Sequence, residues 1–213
     1  MPPETVGPPA VPVAEGIPIL VREITQRLEE KSPLTVAVAG PACGGKSSRV
    51  VEPLVEGLNE GVSLVEVDRY YFGRQFMEDA AAQSRGLNWH HPDAVDLQLV
   101  AHHIDLLKRG ISIDHPVYDF ATGETPYYKE VHSRSVIVVD GMFSLHANLR
   151  AQIDFGVYLE VSLDEQLKRR VNQNTSRGGP IYEVTRYAET IALPMFKEHI
   201  APTRESADLV LTN

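Results

Sequence analysis

The chain has 213 residues, 43% of them hydrophobic and 23% charged, with a formal net charge of −9. Globular composition at single-domain length excludes wholesale disorder. The acidic balance repels polyanions, which argues against nucleic acid and anionic membrane surfaces as partners.

Residues 1–16 hold five prolines and no periodicity, and read as a disordered Pro-rich tail; residues 17–213 read as one domain. Ile17, Leu20, Val21, Ile24 and Leu28 share a helical face. Leu34 to Ala39 is an apolar run ending at Gly40 and predicts a buried strand. Lys46 to Asn59 predicts a helix, and Val62 to Val67 a second strand ending at Asp68. Residues 69–92 carry aromatics without a period and are expected to be irregular. Leu97, Val100, Ile104 and Leu107 mark a helix stopped at Gly110. Val136 to Val139 predicts a third strand, ending at Asp140, and Phe155 to Val161 a fourth. Ser162 and Glu165 have capping-box spacing for a helix through Arg170. A further helix is expected from Tyr182 to His199 and a last strand from Ala207 to Leu211. Strands alternating with helices predict an α/β fold, a parallel sheet with helices on both faces. Ligands then sit at the carboxyl ends of the strands, where Gly40, Asp68 and Asp140 stand.

Gly40-Pro41-Ala42-Cys43-Gly44-Gly45-Lys46-Ser47 fits G-x-x-x-x-G-K-[ST] between a predicted strand and a predicted helix. Its glycines let backbone N–H groups turn toward phosphate oxygens, and the helix N-terminus adds positive potential. The phosphate-binding set is therefore Gly40, Ala42, Cys43, Gly44, Gly45, Lys46, Ser47 and Ser48. Lys46 would reach the transferred phosphate, and Ser47 would ligate Mg²⁺. Asp140, after four aliphatic residues and before Gly141, has the pattern of a Walker B metal ligand, or else of a turn aspartate. Asp68 is either the base that takes the acceptor's proton or a turn residue. Arg169, Arg170 and Arg177, followed by Gly178-Gly179-Pro180, read as a mobile arginine lid or as a solvated face. Cys43 is the only cysteine. It excludes an intrachain disulfide and fits a reducing compartment, with space-filling or a regulatory thiol as its own roles. His90-His91 and His102-His103 are adjacent pairs that point apart, so they read as structural or surface residues rather than as a metal site. No basic region followed by a long apolar run opens the chain, and no apolar run can span a bilayer. The expected location is the cytoplasm.

These motifs predict a P-loop phosphotransferase using ATP or GTP with Mg²⁺. Over residues 34–212 the sequence also resembles the uridine–cytidine kinase family, near the phosphoribulokinases. Val67-Asp68-Arg69-Tyr70-Tyr71 is similar to the family's Asp-Ser-Phe-Tyr segment, which implies that Asp68 is the base, with Tyr71 beside the substrate. Asn88-Trp89-His90-His91-Pro92-Asp93-Ala94 resembles Asn-Phe-Asp-His-Pro-Asp-Ala, implying that Asp93 binds the ribose hydroxyls. Pro116-Val117-Tyr118-Asp119-Phe120 matches the family's Pro-Val-Tyr-Asp-Phe, implying that Tyr118 lies near the nucleobase. Arg170 and Arg177 resemble lid arginines that touch phosphate and substrate. The resemblance implies a P-loop NTPase fold with a small helical lid, 5′-phosphorylation of uridine, cytidine or a relative, and a homo-oligomer. Four features depart from it. Gly123 replaces a base-reading histidine, Gln173-Asn174 an Arg-Asp pair, Gly179 a lid arginine, and Asp140 the usual glutamate, a shorter reach to the same ion. They keep two alternatives open: another hydroxyl acceptor, such as a phosphorylated sugar or vitamin precursor, or a degenerate member that binds nucleotide and transfers nothing. A GTPase switch lacks its Asn-Lys-x-Asp motif, because no Asn-Lys pair occurs in the chain.

Overall fold

A computed structural model describes residues 7–58, 61–83, 88–175 and 180–213. Six parallel strands form the main sheet, in the order β1-β8-β7-β2-β6-β3. They are β1 (Ala10–Pro12), β2 (Leu34–Ala39), β3 (Val62–Glu66), β6 (Val136–Asp140), β7 (Phe155–Glu160) and β8 (Leu209–Thr212). β2 and β6 are buried throughout, so they read as continuous apolar runs rather than alternating ones.

Successive residues of each strand face opposite layers. Val36, Val38, Val136 and Val138 pack with Leu20, Ile24 and Leu54 of α1 (Val13–Glu30) and α2 (Glu52–Leu58). Ala37, Ala39, Ile137 and Val139 pack with Ile104, Leu107 and Leu149 of α4 (Leu97–Lys108) and α5 (Ala147–Arg150). The predicted parallel sheet covered on both faces is the architecture observed. No helix among the described residues is long and apolar enough to cross a membrane.

Three expectations are revised, and residues 110–135, for which no element was predicted, gain a hairpin. The tail does not extend to residue 16. Ala10–Pro12 pairs in parallel with β8, and α1 starts at Val13; residues 1–6 lie outside the described residues. A side chain at Gly16 would strike Leu211 of β8 at 2.1 Å, so glycine there is what lets α1 lie so close to the sheet. Second, the 69–92 segment contains α3 (Arg74–Ala82), which buries only Met77 and Ala80. Residues 110–135 form an antiparallel hairpin of β4 (Ile113–Asp119) and β5 (Glu124–Val131). Third, the helix after the phosphate loop opens on a π-helical turn, Ser47–Val51, before α2. Beyond β7, α6 (Leu163–Thr175) rises beside the phosphate loop, with Glu165 N–H capped by Ser162 Oγ at 3.3 Å. The chain returns through α7 (Ile181–Tyr187) and a run of helical turns with α8 (Leu193–Met195) at its centre, ending at Ile200.

Candidate active site

Three adjacent strands deliver the site. β6 lies between β2 and β3, and Asp140 at its end is in register with Val38 and Glu66. Gly40 follows β2, and a Cβ there would lie 2.5 Å from the Leu159 carbonyl, so the loop leaves the sheet only through glycine. Cys43 and Gly45 have positive φ (58° and 88°), which curls the loop. A Cβ on Gly45 would press on Arg49 and Arg169 at 3.2 and 3.3 Å. Lys46 is buried at 7% exposure, and its Nζ donates to the Pro41 carbonyl at 3.1 Å.

Asp68 and Asp140 meet in front of this loop. Gly141 makes the approach possible: a Cβ there would sit 2.6 Å from Val67 Cβ and 3.4 Å from Asp68 Oδ1. Ser47 Oγ donates to Asp140 Oδ2 at 2.6 Å. Oδ1 of Asp140 and Oδ1 of Asp68 are buried without a hydrogen-bond partner. Burial raises the pKa of Asp68 against the opposing charge of Lys46, and the Asp140 and Glu66 carboxylates add to the rise. Burial likewise raises Asp140, opposed by Lys46 and by the Ser47 hydrogen bond. Two orphaned carboxylate oxygens and a hydroxyl are hard oxygen donors of the kind that would suit a Mg²⁺ ion. The loop fits the phosphates. Together these residues can hold a nucleoside triphosphate with its metal and set a carboxylate against an incoming hydroxyl.

The cleft in front of the loop measures about 810 Å³. Ala42 to Ser48, Asp68, Asp140 and Arg170 all line it, and Gly40 does not. Its acceptor side departs from expectation. Asp93 stands in the Pro92–Ala94 turn with an 81% exposed side chain 3.7 Å from His91, and it lines no part of the cleft. Tyr118 is 3% exposed, packed edge-on against Phe120 and tilted against Tyr71 at ring distances of 5.2 and 5.7 Å. Tyr71 donates to the Trp89 carbonyl at 2.8 Å and supports the wall from behind. The groups that reach the cleft are Trp89, His90, Phe120 and Tyr187. None of the four has a site role in the sequence motifs alone. Adjacent histidines point apart, which suits structural or surface residues, and that same geometry turns His90 inward.

Gly123, at φ 74°, closes the hairpin tip. Arg74 secures this tip, with its N–H on the Gly123 carbonyl at 2.8 Å and its Nε on Thr122 at 2.9 Å. A side chain at residue 123 would meet Arg74 Cβ at 3.1 Å. On the lid side, Arg169 Nη1 donates to the Gly44 carbonyl at 2.6 Å while its Nε pairs with Glu165 at 2.7 Å. Arg170 Nη1 approaches His90 Nε2 at 3.4 Å. Cys43 Sγ lies 3.1 Å from Gln173 Oε1. Arg177 and Gly179 lie outside the described residues.

The chain is similar to known proteins in sequence and in fold. Uridine kinase from Latilactobacillus sakei is 30% identical over 187 residues, 86% of this chain and 87% of that one. Uridine kinase from Escherichia coli K12 is 30% identical over 186 residues, 83% and 85% of the two chains. The Arabidopsis thaliana uridine kinase-like protein 4 is 27% identical, and this chain spans 42% of its length. The fold superposes on phosphoribulokinase from Rhodobacter spheroides with a TM-score of 0.66 at 11% identity, covering 85% of this chain and 70% of that one. It also superposes on D-glycerate 3-kinase from Cryptococcus neoformans, with a TM-score of 0.68 at 15% identity and 88% of each chain covered. With the family model matching residues 35–213, the chain belongs to the phosphoribulokinase/uridine kinase family, phosphotransferases that act on a hydroxyl group.

Proposed function

We propose that the chain transfers the γ-phosphate of ATP, or of GTP, to the 5′-hydroxyl of uridine, cytidine or a related nucleoside, within cytoplasmic pyrimidine salvage. The observation that carries this reading is Asp68: a carboxylate of raised pKa, one oxygen without a partner, where the phosphate loop meets an aromatic-walled cleft. In the proposed reaction the acceptor oxygen forms a bond to the γ-phosphorus as the bond to the β-phosphate bridge breaks. ADP or GDP leaves, and Asp68 collects the hydroxyl proton. A carboxylate made more basic by burial is better matched to that task near neutral pH. Lys46 offsets charge on the migrating phosphate, and Arg170 and Arg177 do so from the lid. Ser47 and Asp140 would hold Mg²⁺, which neutralises charge on the β- and γ-oxygens when bound.

A second reading, a different hydroxyl acceptor, draws support from the acceptor side. Residue 123 offers no side chain for a base, Tyr118 is sealed, and Asp93 lies off the cleft. Hydrogen bonds made by a site to its substrate carry much of its discrimination, so their loss broadens or redirects specificity. A panel of nucleosides, sugars and sugar phosphates with γ-labelled ATP or GTP and Mg²⁺ tests both readings. Labelled uridine or cytidine monophosphate, abolished by Lys46→Ala, is the expected result. Label on another alcohol would favour the second reading. Nucleotide binding with no labelled product from any acceptor would reduce the chain to a degenerate member.

A further inference from the structure

Behind the phosphate loop lies a second cavity, of about 280 Å³. Leu167 on α6, Ala188, Ala192, Phe196 and Ile200 of the returning helix, and Pro41 make its lining largely apolar. This is no sealed packing defect. The cavity shares Ala42, His90 and Arg170 with the reaction cleft. Its rim is formed by Asp164 and Glu189, both exposed. Pockets for small organic molecules are concave, mostly apolar and marked by a few placed polar groups, which describes this chamber.

The polar groups at its two ends differ. At the junction with the cleft, burial and the Arg170 guanidinium push the His90 pKa down to about 4, so the ring is neutral at pH 7. With Nε2 accepting from Arg170, the ring proton sits on Nδ1. The inner end therefore presents a guanidinium and a neutral imidazole. The outer end presents two carboxylates.

We infer that the acceptor pocket continues past the His90–Arg170 pair into this chamber, which takes the uncharged, ring-sized body of the acceptor and, through Asp164 and Glu189 on its exposed rim, favours a cation over an anion there. The hydroxyl end of this inference rests on the kinase reading above; the body end rests on the chamber's own lining. An acceptor that already carries a distal phosphate would set it against the two rim carboxylates, so phosphorylated sugars are disfavoured.

Three probes separate these statements: benzyl alcohol, 4-(aminomethyl)benzyl alcohol and 4-(hydroxymethyl)benzoate, titrated into the full chain by ligand-observed NMR. The neutral and cationic probes are expected to bind, with the anion weaker by about threefold to tenfold. Ala192→Phe fills the chamber and should weaken the neutral probe by about tenfold or more, leaving ATP affinity within about twofold. Glu189→Lys, on the exposed rim, should narrow or reverse the preference for cation over anion. Absent binding to the wild type, equal binding of all three probes, or neutral-probe binding untouched by a normally melting Ala192→Phe variant would each overturn the inference. Should Ala192→Phe fail to fold, an unchanged charge preference in Glu189→Lys overturns it alone. Probe binding that responds to these substitutions, without phosphorylation of any alcohol, would sink the kinase reading and keep the chamber. Transfer to a nucleoside whose KM ignores Ala192→Phe would do the reverse.

Discussion

Asp68 sits where folding and reactivity pull in opposite directions. Burial makes its charge costly, and Lys46 offsets that cost only in part, since the carboxyl pKa remains above the ordinary value. A carboxyl raised in the folded state favours folding when protonated, and that contribution is lost as pH rises through the raised value. Asp68→Asn removes the charge and keeps the shape. It should melt higher than wild type near neutral pH, by roughly 2–4 °C per kcal/mol relieved, with the difference fading below the ordinary aspartate pKa. Transfer should fall by ~10²–10⁴-fold, while ATP affinity barely moves. Melting curves, nucleotide titrations and kinetics together check this; near wild-type transfer in a normally folded variant would end Asp68's candidacy as base. Asp140→Asn tests the other carboxylate. An amide is a poorer ligand for a hard dication, so the Mg²⁺ concentration for half-maximal rate should rise by about tenfold. An unchanged Mg²⁺ titration would assign the metal to a different residue.

At the scale of elements, α6 is fastened to the phosphate loop through Arg169, whose guanidinium spans Gly44 and Glu165. A hydrogen bond from a charged donor is worth about 1.5–3 kcal/mol, less here because the side chain is part-exposed. Arg169→Ala should therefore weaken ATP binding by about threefold to tenfold, read by titration, with little change in melting temperature. A larger loss of stability than of affinity would make Arg169 a packing residue instead. Which elements could be foreseen follows from how they are buried. β2 and β6 lie inside the sheet and their apolar runs announce them, while β3, at its edge, shows as a short Val- and Leu-containing stretch buried at alternate positions. α4 buries a regular stripe, Val100, Ile104 and Leu107, and was equally legible. β5 is exposed along nearly its whole length, so it carries no alternation for a sequence to display. α3 buries two side chains and leaves too faint a period. β1 is three residues held by the edge of β8, a contact no local pattern encodes. The site divides the same way. The phosphate loop, Asp68 and Asp140 belong to contiguous motifs at strand ends. Trp89, His90, Phe120 and Tyr187 come from a turn, a hairpin tip and a returning helix, and only the tertiary fold gathers them.

Across the whole molecule, buried histidines weaken the fold as pH falls. His90 and His115 are both pushed down to about 4, mainly by burial. His115 is fully buried, its Nε2 accepting the Glu66 N–H at 3.0 Å and its Nδ1 donating to the Pro116 carbonyl at 2.8 Å, which ties β3 to the hairpin. The unfolded chain takes up protons near the ordinary value of 6.5 that these folded rings refuse until about 4. Their contribution is therefore complete above 6.5 and lost as pH falls toward 4. Melting temperature should drop steeply through that window, and His115→Gln should flatten the slope by up to about one proton. A pH series of melts checks it; an unchanged slope would place the titration elsewhere. The aromatic wall has an optical consequence as well. Trp89 is the chain's single tryptophan, 36% exposed on the lip of the cleft with the Tyr71 ring edge-on at 5.6 Å. Indole emission from the entire protein thus originates at one point beside His90. Excitation near 295 nm needs no label to watch that lip, and a shift in its emission maximum would report water leaving the acceptor side before any phosphate has moved.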